Sequence, residues 1–362
     1  MSIEELRTKI DEIDYQILSL LSQRLRIAKK IGELKGVKGA PVKDEKRERE
    51  VVRNWVENAR KLEVPEDLAL SVLNDILFHS RRVQVGVKTP YRITVIGYGG
   101  MGKALARLFS SVGNNVAITG RNPDKAQEAS KETGSVAMPL KSAVEWGDYL
   151  ILALPPDALK DQFMEKVYPD LKGKTVMDIA SSKRAVFDVL ERRSEEHSFR
   201  FVSTHPLFGP YSNPVGERVV LIKSKTSGDM ADVKELWRSA GLNVVETDLD
   251  THERAMAVVQ VLSHFFVLGL RESYRRASQA LEVGGVLDDL QTVTYRELTQ
   301  IIERLSKQED VIMEIQRLNP YAFIAREIGF NTLKDLYERL GRDAVHPKEG
   351  SGLVDPKGEA ER

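Results

Sequence analysis

The segment Arg92-Ile-Thr-Val-Ile-Gly97-Tyr98-Gly99-Gly100-Met101-Gly102 constrains this chain more than any other. A short apolar, β-branched run leads into glycines spaced G-x-G-x-x-G, and Ala104-Leu-Ala follows. That order reads as strand, tight turn and helix start, with the glycines letting the backbone approach a pyrophosphate on the helix N-terminus. The letters alone are weak, because a purely structural glycine turn shares them. The strand before and the helix after supply the context of a dinucleotide site. Such a unit usually opens a domain, yet residues 1–91 precede it without any strand pattern.

Those leading residues are helical in period. Ile3, Leu6, Ile10, Ile13, Ile17, Leu20, Leu21, Leu25, Ala28 and Ile31 recur at helical spacing over 3–35. Gly36, Gly39 and Pro41 are its stop signals. A second helix is expected from Pro41 to about Leu62, and a third from Pro65 through Leu77. A helix over 3–35 would be ~50 Å long, too long for an 86-residue domain to cover alone, so dimerisation through interlocked helices is expected. Gly86–Pro90 reads as a linker. Strand-like runs then appear at 93–96, 116–119, 149–154, 175–179, 201–204 and 219–222, alternating with helical or loop segments, as in a doubly wound parallel sheet. Helical periodicity returns after Asp248, with 255–273 apolar enough for a buried helix. The tail from Gly341 is rich in Pro, Gly and charge.

Lys+Arg and Asp+Glu both total 54, so no bulk field favours nucleic acid or an anionic membrane. There is no cysteine, which excludes disulfides and thiolate nucleophiles or metal ligands. The start lacks a signal peptide's apolar core, and no uncharged apolar run approaches ~18 residues, so a cytoplasmic protein without a membrane span or metal is expected.

The charges beside the first apolar stripe are specific. Arg24 and Lys35 lie within about 20° of one helical face, whereas Arg7 and Arg24 differ by about 100° and some 25 Å along the axis. One pocket cannot easily take both arginines from one helix; a partner's helix could supply one. Taken singly, each charge also suits the solvated face of a coiled-coil dimer. As a set, Leu6-Arg7-x-Lys-Ile10, Asp14, Leu20-Leu-Ser-Gln-Arg24, Lys35, Pro41-Val-x-Asp44-x-x-Arg47-Glu48 and Ser80-x-x-x-Gln84 resemble the all-helical chorismate mutases. The resemblance covers nearly all of 1–86. It implies an intertwined homodimer in which Arg7 crosses to the other subunit's site. It further implies that Arg7 and Arg24 hold the carboxylates of chorismate and that Lys35 and Gln84 donate to its ether oxygen. Glu48 would accept from the ring hydroxyl, with Asp44, Arg47 and Ser80 completing the shell.

Cofactor choice turns on the end of the second strand. An NAD site usually carries an acid there; here the chain reads Ile118-Thr-Gly-Arg121-Asn-Pro-Asp-Lys125. Arg121, with Lys125, suits a 2′-phosphate and favours NADP over NAD, although Arg121 could instead stack on adenine.

Three later segments resemble the prephenate dehydrogenases: Val176-Met-Asp178-Ile-Ala-Ser181-Ser-Lys183, Thr204-His205-Pro-Leu-Phe-Gly-Pro-Tyr-Ser212, and Gln260-Val-Leu-Ser263-His264 followed by Tyr295-Arg296 and Arg304. This match runs from about 91 to 340 and implies oxidative decarboxylation of prephenate to 4-hydroxyphenylpyruvate. His205 would draw off the ring hydroxyl proton, Ser181 would orient substrate and nicotinamide, and Arg304, helped by Arg296, would bind a carboxylate. His264 stands on an apolar face, which by itself reads as a satisfied core histidine; the resemblance implies a catalytic role for it instead. Some relatives carry a second histidine three residues on, where this chain has Val267.

The expected architecture is multidomain: a three-helix mutase domain over 1–86, an α/β Rossmann domain over 91–247, an all-α substrate and dimerisation domain over 248–340, and a tail over 341–362. The competing readings are an arogenate dehydrogenase, a dehydrogenase whose helical N-terminus only dimerises or regulates, and another Rossmann enzyme such as a β-hydroxyacid dehydrogenase.

Overall fold

The structure, a computed structural model, describes residues 2–38, 40, 42–85, 89–210 and 214–341. Gly39, Pro41, residues 86–88 of the linker, Tyr211, Ser212 and the tail beyond Gly341 lie outside these. The chain forms two compact units. One joins Met1–Ala180 to Phe187–Thr247, and the other joins Ser181–Val186 to Asp248–Arg362.

In the first unit, α1 (Ile3–Lys38), α2 (Glu45–Lys61) and α3 (Glu66–Gln84) come first. Helix α1 runs past Gly36, because one interior glycine costs only about 1 kcal/mol. Asp44 caps α2, its side chain accepting from the Arg47 N–H at 2.9 Å. Most of the α1 stripe stays open to solvent: Ile3, Ile10 and Leu20 are 65%, 56% and 64% exposed.

The sheet orders its eight strands β3-β2-β1-β4-β5-β6-β7-β8. They span Arg92–Ile96 (β1), Asn115–Thr119 (β2), Val136–Ala137 (β3), Tyr149–Leu152 (β4), Thr175–Asp178 (β5), Arg200–Pro206 (β6), Arg218–Lys223 (β7) and Asn243–Thr247 (β8). Pairing is parallel except between β6 and β7, where His205 faces Val220. The all-parallel expectation fails there because only eleven residues separate β6 from β7, fewer than the dozen or so a crossover between parallel strands needs. Helices α4 (Gly100–Ser111), α5 (Pro123–Thr133), α6 (Leu140–Trp146), α7 (Gln162–Val167), α8 (Arg184–His197) and α9 (Ala231–Ser239) complete the α/β architecture. Its core includes Phe109 against Trp237, ring centroids 5.2 Å apart.

The second unit is helical. Helix α10 (Leu249–Met256) passes through a π turn (Ala257–Leu262) into α11 (Ser263–Ala280), followed by α12 (Val293–Ser306), α13 (Glu309–Leu318) and α14 (Ala322–Gly341). Its core is small: Ala257, Val261, Ile315, Ala322 and Ala325. The burial expected over 255–273 is realised only at Met256, Ala257 and Val261; from Ser263 on, no residue of α11 is buried. Val258, Val259, Phe323, Ile324, Ile328 and Phe330 are also exposed, so one copy of the chain does not cover this apolar surface. The continuous run Leu249–Ala280, with a window of mean hydropathy 1.3, is long and apolar enough to cross a membrane by length and composition. It exceeds the run read from the sequence because the three helical segments fuse.

Candidate active sites

In the helical domain, α1 and α3 bring together Arg24, Ser80 and Gln84. Arg24 Nη1 donates to the Ser80 hydroxyl, which donates to the Ile76 carbonyl at 2.6 Å. Gln84 Nε2 donates to the Ser80 carbonyl at 3.1 Å, and its Oε1 is buried without a partner among the described residues. Burial lowers the Arg24 guanidinium below its ordinary value. Gly32 allows this approach of α1 to α3, because a Cβ there would lie 2.4 Å from the Gln84 carbonyl oxygen. Lys35 Nζ donates to the Val42 carbonyl at 2.7 Å. Asp44 is occupied as the α2 cap, Arg47 pairs with Glu50 at 3.2 Å, and Glu48 pairs with Arg81 at 2.9 Å. Arg7 lies 17 residues before Arg24 on the same helix, so ~25 Å away along its axis, exposed and 3.9 Å from Glu4. The structure does not bring it to the others.

In the sheet domain, β1 gives way at Ile96 to Gly97, whose φ of +120° and position against Ala153 exclude a side chain: a Cβ would lie 2.2 Å from the Ala153 carbonyl oxygen. A Cβ on Gly102 would lie 2.1 Å from the Gly97 carbonyl oxygen. These contacts close the turn tightly and aim the N-terminus of α4 outward. Its cap, Gly99, has no side-chain cap bond, so the first helical N–H groups are left for an anion. The residues present therefore fit a dinucleotide pyrophosphate. Gly100 and Met101 open α4 within this turn. The Tyr98 hydroxyl accepts from the Asn122 N–H at 3.1 Å. Arg121 stands at the end of β2, 3.2 Å from Asp161 and 5.6 Å above the Phe163 ring. Lys125 lies in the first turn of α5, its N–H bonded to the Asn122 cap at 3.1 Å.

The strand ends are locked by Asp178, to which the sequence reading assigned no role. Fully buried, it accepts from the Ser203 hydroxyl at 2.6 Å and the Ala180 N–H at 3.0 Å, and its carbonyl accepts from Thr204 Oγ1 at 2.6 Å. His205, next on β6, is 3% exposed. The spacing of Asp178 from Ser181, one polar residue before another at a strand's end, was the available signal.

Ser181 belongs to the second unit. There Glu253 accepts from the Arg184 N–H at 2.7 Å and from Asn319 Nδ2 at 2.9 Å. Burial raises the Glu253 carboxyl above its ordinary value. Beside it, His252 is pushed down to about 3 by burial and by the Lys183 charge. His264 follows the π turn at the start of α11; burial lowers its pKa, and Nδ1 has no partner among the described residues. Arg296 and Arg304 are exposed on α12, and their guanidinium groups make no bond among the described residues.

A helical domain with a cationic cluster, followed by a dinucleotide-binding sheet and a helical unit, defines a two-part metabolic enzyme scaffold. Residues 6–85 match the family described as Chorismate mutase type II, and 92–182 match the family described as NADP oxidoreductase coenzyme F420-dependent. A chorismate mutase of Methanocaldococcus jannaschii is 30% identical over 82 residues, 23% of this chain and 83% of that protein. The chain belongs to the chorismate mutase family through its N-terminal domain, joined to a Rossmann-type α/β domain. The T-protein of Enterobacter agglomerans is 25% identical over 355 residues, covering 95% of this chain and 88% of that protein. A second M. jannaschii protein, described as "Probable arogenate/prephenate dehydrogenase", is 27% identical over 274 residues, 74% of this chain; the chain spans only 59% of that relative's length. The crystal structure of A. aeolicus prephenate dehydrogenase, in complex with hydroxyphenyl propionate and NAD+, shares the fold at TM-score 0.51 and 20% identity, covering 71% of this chain and 93% of that one.

Proposed function

We propose that this chain performs two consecutive steps: rearrangement of chorismate to prephenate by residues 1–86, and oxidative decarboxylation of prephenate to 4-hydroxyphenylpyruvate by the rest, as in tyrosine formation. The observation that carries the reading is the convergence of Arg24, Ser80 and Gln84 on one face of the helical domain, with an adjoining domain built for a dinucleotide.

Chorismate rearranges through a compact chair-like transition state without proton transfer, so the protein must hold the folded conformer and stabilise charge growing on the ether oxygen. Arg24 grips a carboxylate, Lys35 and Gln84 donate to the ether oxygen, and Glu48 accepts from the ring hydroxyl; Asp44, Arg47 and Ser80 support them. Arg7 serves the partner's site in a homodimer. The open apolar faces of α1 and α14 support that assembly.

In the second step, a bound nicotinamide would supply the hydride acceptor as CO2 departs. Residues Gly97–Gly102 seat its pyrophosphate. His205 takes the proton from the substrate's ring hydroxyl oxygen, held in place by the Asp178 lock. Ser181 orients the substrate, His264 adds a neutral ring, and Arg304 with Arg296 binds a carboxylate. Arg121 and Lys125, with no acid at the end of β2, favour NADP over NAD. We place the enzyme in the cytoplasm.

Supplying chorismate alone with NADP, then with NAD, tests all of this in one cuvette. Reduced nicotinamide and 4-hydroxyphenylpyruvate should rise together, faster with NADP. Turnover of added prephenate but not chorismate would leave the helical domain without catalysis. Turnover of arogenate in preference to prephenate would change the substrate.

A further inference from the structure

Glu48 stands in the first turn of α2 and is asked to accept a substrate hydrogen bond. A glutamate on a free stem samples several rotamers, and ordering it costs entropy. The structure provides a holder. Arg81, one residue beyond Ser80 on α3, places Nη1 at 2.9 and 3.1 Å from the two Glu48 oxygens. The pair is shielded, with side chains 20% and 22% exposed, whereas the neighbouring Arg47–Glu50 pair is 64% and 38% exposed. It lines a cleft of about 590 Å³ between α2 and α3, with Lys43, Asn74 and Phe78. The planar guanidinium suits this task because it can engage both oxygens of a carboxylate.

The far side of Arg81 meets the sheet domain. Gly216, at φ +90°, sits so close that a Cβ would lie 3.3 Å from Arg81 Cδ and 3.1 Å from Lys43 Cβ. Two residues on, Arg218 opens β7 and pairs with Glu45 of α2 at 3.1 Å. The turn before β7 is thus packed on the stem of the residue that holds Glu48.

We propose that Arg81 is a positioning residue of the mutase site: it fixes the Glu48 carboxylate through Nη1, and the Gly216 turn of the dehydrogenase domain seats its stem. This rests on the mutase reading of residues 1–86. Part of the mutase geometry is then supplied by the domain that follows it.

The test uses the full chain and measures mutase and dehydrogenase turnover in the same samples of wild type, Arg81→Met, Arg81→Lys, Glu48→Gln and the Arg81→Met/Glu48→Gln double variant. Arg81→Met should lower mutase kcat about 10–100-fold with KM changed less than about threefold, and Arg81→Lys should recover part of it. In the Glu48→Gln background the same change should cost less than about threefold, because the two act through one carboxylate. Dehydrogenase turnover should stay within about twofold. Gly216→Ala should lower mutase kcat about three- to tenfold, again sparing the dehydrogenase. Near-normal mutase kcat in Arg81→Met, a loss of equal size in both backgrounds, or a parallel fall in both activities would overturn the role of Arg81. Unchanged mutase kcat in Gly216→Ala would remove the dehydrogenase domain from it. A wild-type chain without mutase turnover would sink the mutase reading itself, a different result from any of these.

Discussion

The Ser203 hydroxyl donates to the Asp178 carboxylate across 2.6 Å, with both residues wholly removed from solvent. This bond ties the end of β5 to the middle of β6, and Asp178 spends its other oxygen on the Ala180 N–H. Replacing Asp178 by Asn sets an amide NH2 against one of two donors and leaves a buried group unmatched. Such a mismatch costs about 1–3 kcal/mol. Asp178→Asn should lower the unfolding temperature and depress dehydrogenase kcat at least tenfold or so while mutase turnover persists. Equal turnover in both halves would show that the lock does not serve His205.

His205 is nearly inaccessible on β6, ready to take a proton only from a group placed against it. An Asn at this position keeps size and polarity but not basicity. Dehydrogenase kcat should fall about 10²–10⁴-fold, the usual share of a general base. Cofactor affinity, read by fluorescence titration, should be unaltered. Near-normal kcat would reassign the base.

The acid limb of stability follows from His252. Its ring is 2% exposed, and burial together with Lys183 pushes it down to about 3. An unfolded histidine titrates near 6.5. Below that pH the unfolded chain takes up a proton that the folded chain refuses, so stability drops as pH falls from about 6.5 towards 3. The slope is at most about 1.4 kcal/mol per pH unit, or about 2 kcal/mol between pH 6.5 and 5. Urea titrations at both pH values should register that loss. His252→Gln should flatten it, and an unchanged slope in that variant would place the effect elsewhere.

Arg24 connects the longest helix to α3 through Ser80. Arg24→Ala should reduce mutase kcat/KM by about 10²–10³-fold, the scale of removing a charged group aimed at the transition state. The dimer expected from the α1 stripe should survive, as read by sedimentation. Full mutase turnover in that variant would return the helical domain to a structural role.

Much of this organisation is legible in the residues. The glycine turn needs no tertiary information, because only glycine tolerates a carbonyl 2.1–2.2 Å from where a Cβ would stand. The α/β alternation is equally local. The reversal of β7 was hidden, since strand direction depends on the length and content of residues 207–217 rather than on strand composition. The burial expected over 255–273 stops at Val261, because apolarity shows that a surface seeks cover, not which molecule covers it. Partners such as Ser203 for Asp178, Glu253 for Arg184 and Arg81 for Glu48 lie 25, 69 and 33 residues apart, beyond any periodicity argument.

The π turn at Ala257–Leu262 sets the phase of everything after it. A wider turn takes up one residue more than an α-helix would need for the same climb. At about 100° per residue, that extra unit decides which way the following helix faces. A homologue one residue shorter in this stretch would therefore differ by a rotation rather than by a length. Its histidine could align perfectly with His264 in the letters and still look in another direction.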